Sequence, residues 1–246
     1  DRISTLLPAR GVIVVSRAAG AAQARVWPPR RQWLVHPGAS LDAFDPSRLP
    51  APAAARSKLG LSAEGPLIGM AGRLQRWKGM HFFIAAVARV RESRPDVRAV
   101  IVGGAHETEP EYGAELRAQV HALGLDDAIT FAGFQGNVAE WIQAMDVFVH
   151  ASDREPFGIV VVEAMALGKP VVAGAAGGPA EIITDAETGL LTPYGDAGSL
   201  AQAILRYLDD RAFAARVGAA ARIRAAAFDD RTFAANIIAA LREGVS

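Results

Sequence analysis

The stretch REPFGIVVVEAMALGKPVVA, Arg154 to Ala173, decides the reading of this chain. It is almost wholly apolar, yet it carries Glu155 and Glu163. Pro156 holds Glu155 extended and suits the first turn of a helix. The pattern predicts a helix over Phe157–Leu167, with the amides of Phe157, Gly158 and Ile159 in a first turn that offers them no intrahelical partner. Gly158 has no side chain to block them, so this helix start is a candidate cradle for a phosphate or a sugar. The helix is apolar nearly all round and is expected to be buried. A carboxylate inside it is costly unless partnered. Glu163 therefore either pairs with a cation elsewhere or meets ligand hydroxyls. Eight residues of helix rise about 12 Å, too far for the carboxylate pair of a retaining glycosidase, which needs about 5–5.5 Å. That spacing suits two acids gripping opposite ends of one elongated ligand.

Outward from this stretch, short apolar runs alternate with helical patterns. Strands are expected at Leu67–Ala71, Val97–Val102, Ile129–Ala132, Val147–His150, Pro170–Ala173 and Leu190–Thr192. Helices are expected at Gly79–Glu92, Glu111–Leu123 and Val138–Met145, with a short helical turn near Ala180–Ile183. Such alternation implies an α/β fold with a parallel sheet covered on both faces, Rossmann-like and doubly wound. Ligands of such sheets sit beyond the carboxyl ends of the strands. The tail is helical: Leu200, Ile204, Tyr207 and Leu208 share a face, as do Phe233, Ile237 and Leu241. At the other end, GVIVVS from Gly11 to Ser16 reads as a buried strand, and Trp33 to His36 as extended. Residues 37–60, rich in Pro and Ala with little periodicity, read as a linker and domain boundary.

The chain has 246 residues, with 26 basic and 26 acidic side chains. Zero net charge argues against nucleic acid held by bulk charge. The absence of cysteine excludes disulfides and thiolate metal sites and suits a reducing cytoplasm. No apolar run is long enough to span a bilayer. The start has no signal-peptide layout and no initiator methionine, so a chain processed or cut from a longer one is expected.

Four further loops are candidates for chemistry. In GRLQRWKGM, Gly72 permits close backbone approach. Arg73 and Lys78 flank that loop, and Lys78 falls at the expected start of the next helix, where the helix dipole disfavours a cation. A bound anion would account for it, and so would two solvated surface charges. In VGGAHETEPEYG, Gly103 and Gly104 either admit a flat group or simply form a turn, and His106 has no visible partner. In AGFQGN, Gly133 precedes Phe134, whose default role is packing and whose alternative is stacking on a base. GAAGGPAEII offers Gly177, Gly178 and a helix start near Glu181, or a flexible turn. No histidine cluster has metal-ligand spacing.

GRLQRWKG, EPFGIVVVEAMALGKPVVA and GGPAEII, in this order and spacing, resemble the donor-binding half of retaining glycosyltransferases of the group 1 type (family 4, GT-B fold). Glu155 and Glu163 reproduce that family's glutamate–seven residues–glutamate motif. The resemblance runs from about Ala9 to the C-terminus. VHPGASLDAF resembles the family's crossover, although Pro37 and Ser40 stand where Asn and Asp are commoner. FDDRTFAANIIAAL resembles its closing helix.

The resemblance implies the C-terminal half of a GT-B fold, with residues 1–45 a remnant of the acceptor domain and crossover. Residues 46–225 would be the donor domain, and 226–246 a helix packing back across the cleft. It implies a nucleotide-diphospho-sugar as co-substrate, with no cofactor and no metal. Arg73 and Lys78 would neutralise the diphosphate. Glu155 would bind sugar hydroxyls, and Phe157, Gly158 and Ile159 would give backbone contacts to sugar and phosphate. Glu163 would bind the ribose. The loops with Gly72, Gly103, Gly104, Gly133 and Phe134 would complete the donor site. The acceptor domain is expected to be missing, and with it any peripheral membrane contact of an otherwise cytoplasmic protein. Two other readings remain beside this one: a non-catalytic nucleotide-sugar binding module, and a nucleotide-sugar epimerase.

Overall fold

The computed structural model describes residues 10–25 and 30–245. It begins with a small unit in which β1 (Gly11–Val14) and β2 (Arg31–Leu34) pair in parallel around α1 (Arg17–Ala24). Ser16 caps α1 by accepting from the Ala19 amide at 2.9 Å. Two 3-10 turns follow, Leu41–Phe44 and Pro46–Arg48, and then α2 (Pro52–Lys58). The linker expected at 37–60 thus contains a helix. Its Pro-Ala composition hides the periodicity, but Pro52 opens the helix, as proline does at a first turn.

Strands and helices then alternate. The series runs β3 (Leu67–Ala71), the 3-10 turn Arg76–Lys78, α3 (Met80–Ser93), β4 (Arg98–Val102) and α4 (Tyr112–Ala122). It continues through β5 (Ile129–Gly133), α5 (Val138–Ala144), β6 (Val147–His150), α6 (Ile159–Ala166) and β7 (Val171–Gly174). Then come α7 (Pro179–Ile182), β8 (Leu190–Thr192), α8 (Ala197–Asp209), α9 (Arg211–Ala225), the 3-10 turn Ala226–Phe228 and α10 (Asp230–Val245). The six strands from β3 onward form one sheet, ordered β5-β4-β3-β6-β7-β8, with every pairing parallel. The fold is α/β and doubly wound, as the alternation implies.

Strand residues point alternately to two cores. Ile68, Met70, Ala99, Ile101, Val147 and Val149 face α3, α4 and α8. Leu67, Ala71, Val100, Val102 and Phe148 face α5, α6 and α9. Leu200, Ile204, Tyr207 and Leu208 are all buried, as their shared face predicts. In α10 the expected stripe shifts: Ala240 is buried, Phe233 and Ile237 are half-buried, and Leu241 is 55% exposed. This helix packs on a small unit rather than on the main sheet. Glu243 takes the Arg31 guanidinium at 2.8 Å and the Trp33 indole N–H at 3.1 Å. Ala39, in the crossover, donates its amide to Phe228 O at 2.9 Å. The first unit is therefore tied to the start and the end of the terminal helix. Among the described residues, no helix is long and apolar enough to cross a membrane.

The amino ends of β3 and β6 share one buried polar knot. Arg56 of α2 donates to Ala144 O at 2.9 Å and Gly65 O at 3.0 Å, and pairs with Asp146 at 2.6 Å. Asp146 in turn accepts from the Leu67 amide at 2.7 Å. Removing one partner of such a network leaves the others desolvated and unpaired. Arg56→Ala is expected to lower unfolding stability by about 3 kcal/mol, measured by urea denaturation. A loss within about 0.5 kcal/mol, the range of an ordinary surface substitution, would show that the knot does not hold the strands.

Candidate functional site

In the strand order β5-β4-β3-β6-β7-β8, the chain leaves the sheet toward opposite edges from β3 and β6. The crevice outside their carboxyl ends is where such sheets bind ligands. A cleft of about 540 Å³ opens there. Its lining brings together Gly72, Arg73, Lys78, Gly103, Gly104, Phe134, Glu155, Phe157, Gly158, Ile159 and Glu163. Val15, after β1, and Pro37, in the crossover, also line it; no local sequence signal marks Val15.

The loops are stitched by backbone contacts that leave no space for side chains. Gly72 N donates to Val102 O at 2.9 Å and Leu74 N to Gly104 O at 2.9 Å. A Cβ on Gly103 would lie 1.8 Å from the Gly72 carbonyl oxygen. Gly133 does not line the cleft; it lies behind it, with its carbonyl accepting from Gly103 N at 2.8 Å. Phe134 is 83% exposed, so the default packing role is overturned: its ring stands at the mouth of the cleft.

Lys78 ends the 3-10 turn and precedes α3 by two residues, so it is not at the helix start as expected. Its charge is met inside the protein, by Glu155 Oε2 at 2.5 Å, with both side chains about seven-eighths buried. Its ammonium also lies 4.1 Å from the centre of the Trp77 ring. Arg73 is exposed and reaches His106 Nε2 at 3.2 Å. His106, which has no partner visible in the sequence, bridges Arg73 to Thr108 Oγ1 at 2.8 Å.

Glu155 sits in a tightly held loop. The preceding Arg154 has φ of 42°, a left-handed conformation that costs a non-glycine residue energy and marks an over-determined position. Gly178 N donates to Glu155 O at 2.8 Å. Gly177 packs so closely that a Cβ there would lie 2.3 Å from the same oxygen. GAAGGPAEII is thus the floor beneath Glu155 and not a flexible turn. Burial favours the neutral form of Glu155, but hydrogen bonds from His150 and Lys78 outweigh it and hold its carboxyl at about 2.

The helix behind Glu155 starts at Ile159, two residues later than the sequence pattern predicts. Gly158 takes a left-handed φ of 103° as the N-cap. Phe157 lies outside the helix, buried and stacked on His36 with ring centres 5.5 Å apart. The first intrahelical bond runs from Val161 N to Gly158 O at 2.9 Å. The amides left over are therefore those of Ile159 and Val160, the latter also in the cleft lining. The expected 12 Å helical separation of the two glutamates also fails, because Glu155 is outside the helix; only Ile159 to Glu163 is helical, a rise of about 6 Å.

Glu163 faces the cleft. Among the described residues no cation or hydrogen-bond donor engages its carboxyl, so the cation pair considered from the sequence is not formed there. Burial raises it to about 7. It is an acceptor held ready without a partner. Glu181 has a different task. Its two oxygens accept the Arg17 and Ala18 amides at 3.0 Å each, fastening the start of α1 to the main domain. Among the described residues, no group of three His, Asp or Glu side chains is arranged to hold a metal ion.

The sequence model of the group 1 glycosyl transferases matches residues 53–224. D-inositol 3-phosphate glycosyltransferase of Streptomyces avermitilis is 35% identical over 204 residues, 79% of this chain and 43% of that protein. The lipopolysaccharide core biosynthesis mannosyltransferase LpsB of Rhizobium meliloti is 35% identical over 159 residues, 64% of this chain and 45% of that protein. The chain thus spans less than half the length of these curated relatives. HepE of Anabaena in complex with UDP-glucose superposes with a TM-score of 0.88 at 32% identity, over 98% of this chain and 66% of that one.

The Glu163 environment has a measurable consequence. Its folded value of about 7 lies above the ordinary value of 4.5, so its neutral form contributes stability fully below about pH 4.5, and that contribution is lost as pH rises through 7. Glu163→Gln, which cannot ionise, is expected to be more stable than the wild type at pH 8 by on the order of 3 kcal/mol. The difference should vanish near pH 4.5. Thermal unfolding across this range tests it, and a difference independent of pH would contradict the unpartnered carboxyl.

Proposed function

The chain belongs to the group 1 glycosyltransferase family, and from that premise we propose that it is the donor-binding half of an enzyme that moves a sugar from a nucleotide-diphospho-sugar to an acceptor hydroxyl. The observation that carries the reading is the pairing of Lys78 with Glu155 beside the free amides of Ile159 and Val160, in the same cleft as an unpartnered Glu163. A diphosphate needs cations and backbone donors, and a ribose diol needs an acceptor.

On this reading the donor lies along the cleft. Its diphosphate meets Lys78, Arg73 and the α6 start; its ribose hydroxyls donate to Glu163; its base lies between Gly103–Gly104 and Phe134. UDP is the nucleotide the reading favours, because it is named in the HepE complex. When the diphosphate draws Lys78 away, Glu155 is released from its cation and turns its carboxylate to the sugar hydroxyls. Charge developing on the leaving diphosphate is then stabilised by fixed donors that need no rearrangement. The reading assigns that task to Arg73, Lys78 and the α6 amides, with no metal or cofactor in it. Attack from the face the phosphate leaves would retain the anomeric configuration. The acceptor pocket belongs to a preceding domain, of which residues 1–45 are the last part; residues 46–225 hold the donor and 226–246 return to the first unit.

Lys78→Ala is expected to weaken binding of UDP and UDP-glucose by about 1.5–3 kcal/mol, the worth of a hydrogen bond to a charged group. Isothermal titration calorimetry below the melting temperature measures it. Equal affinity in variant and wild type would remove Lys78 from the diphosphate site. Sugar transfer is tested on the longer protein, by product analysis with a UDP-sugar and candidate acceptors.

A further inference from the structure

His150 closes β6 and is 1% exposed. Its Nε2 lies 3.1 Å from Ser152 Oγ and 3.4 Å from Glu155 Oε2. Its Nδ1 is buried with no hydrogen-bond partner among the described residues. A histidine in the apolar run VFVH is not required by packing, and a buried polar group is held only where it does something for its neighbours. Burial pushes the imidazole below its ordinary value, so it is neutral near pH 7. A neutral imidazole facing an ionised carboxylate places its one proton on the nitrogen that points there, Nε2. Nδ1 is then an acceptor without a donor, which leaves no N–H stranded.

Lys78 and His150 approach the same oxygen of Glu155, Oε2, from two sides. Among the described residues no hydrogen bond reaches Oε1. The carboxylate is therefore oriented, with one oxygen held by the protein and the other left for a ligand. On the donor reading Lys78 turns toward the diphosphate, whereas His150 is buried on the end of a strand and stays beside Glu155. We propose that His150 is the positioning residue that keeps Glu155 aimed into the cleft once Lys78 has turned to the diphosphate, so that His150 sets affinity for the sugar part of the donor and not for its nucleotide. This rests on the donor reading above. His150 touches no substrate; it acts through Glu155, with Ser152 Oγ sharing its proton.

Calorimetry with UDP and with UDP-glucose tests the assignment, with folding of each variant checked by circular dichroism. His150→Leu is expected to lose about tenfold or more in UDP-glucose affinity while UDP affinity changes less than about twofold. His150→Gln, whose amide nitrogen occupies the place of Nε2, should restore most of the difference. His150→Asn, whose amide stops short, should not, and it replaces the leucine variant if that one fails to fold. In a Glu155→Gln background, His150→Leu should change neither ratio further. Equal losses for UDP and UDP-glucose, a loss that persists without Glu155, or no loss at all would each overturn the proposal. A wild-type protein that binds both ligands, with a leucine variant that keeps the wild-type ratio between UDP and UDP-glucose, overturns only the role of His150. One that binds neither overturns the donor reading beneath it.

Discussion

The sheet fixes where this protein can bind anything. Parallel strands require crossovers, and right-handed crossovers placed on both faces must part somewhere. Here they part between β3 and β6. The loops after those two strands are pushed apart by helices on opposite faces, and the crevice between them is lined by backbone and by the first residues of helices. The ion pair at the centre of the site follows from this parting. Lys78 comes from the β3 loop, Glu155 from the β6 loop, and their ion pair spans the switch. Two close approaches then lock the loops together. Gly79 lies where a Cβ would meet Ala151 O at 2.1 Å, and Asp153 N donates to Trp77 O at 2.7 Å.

Two carboxylates eight residues apart are thereby given opposite characters. Glu155 is saturated on one oxygen by a cation and an imidazole and stays ionised far into acid. Glu163, a turn inside α6, has an apolar helix around it and no partner, and sits near neutrality. The difference arises from where α6 begins. Gly158 in a left-handed cap turns the chain before the helix starts, which leaves Glu155 in the loop that Gly177 and Gly178 floor. Had the helix started at Phe157, Pro156 would have been its N-cap and the amides of Ile159 and Val160 would lie deeper in the first turn.

The alternation of strands and helices was legible because apolar runs of four or five residues between helical periods leave little other choice. Leu67–Ala71, Val147–His150 and Leu190–Thr192 agree with the strand bounds to the residue. What was not legible depends on contacts far apart in sequence. The helix at Pro52–Lys58 is hidden by an alanine-rich composition and is revealed by Arg56 reaching Asp146. The pairing of Lys78 with Glu155 joins residues 77 positions apart. His106 gains meaning from Arg73, and Gly133 loses its place in the cleft because its carbonyl is taken by Gly103. His150 was the one signal in plain view: a polar ring in a strand otherwise built of Val and Phe.

The contact between Lys78 and Trp77 has an optical side. The ammonium lies 4.1 Å from the indole ring in the free protein, and a point charge at that distance shifts the energy gap between the ground and excited states of an indole. Trp141 is buried in the core of α5, α6 and α9, and Trp33 lies against the terminal helix. Among the described tryptophans, Trp77 is the one in contact with Lys78, so its field changes when the cation moves. The protein carries an intrinsic spectroscopic reporter of the charge state of its own cleft, readable without label or substrate turnover.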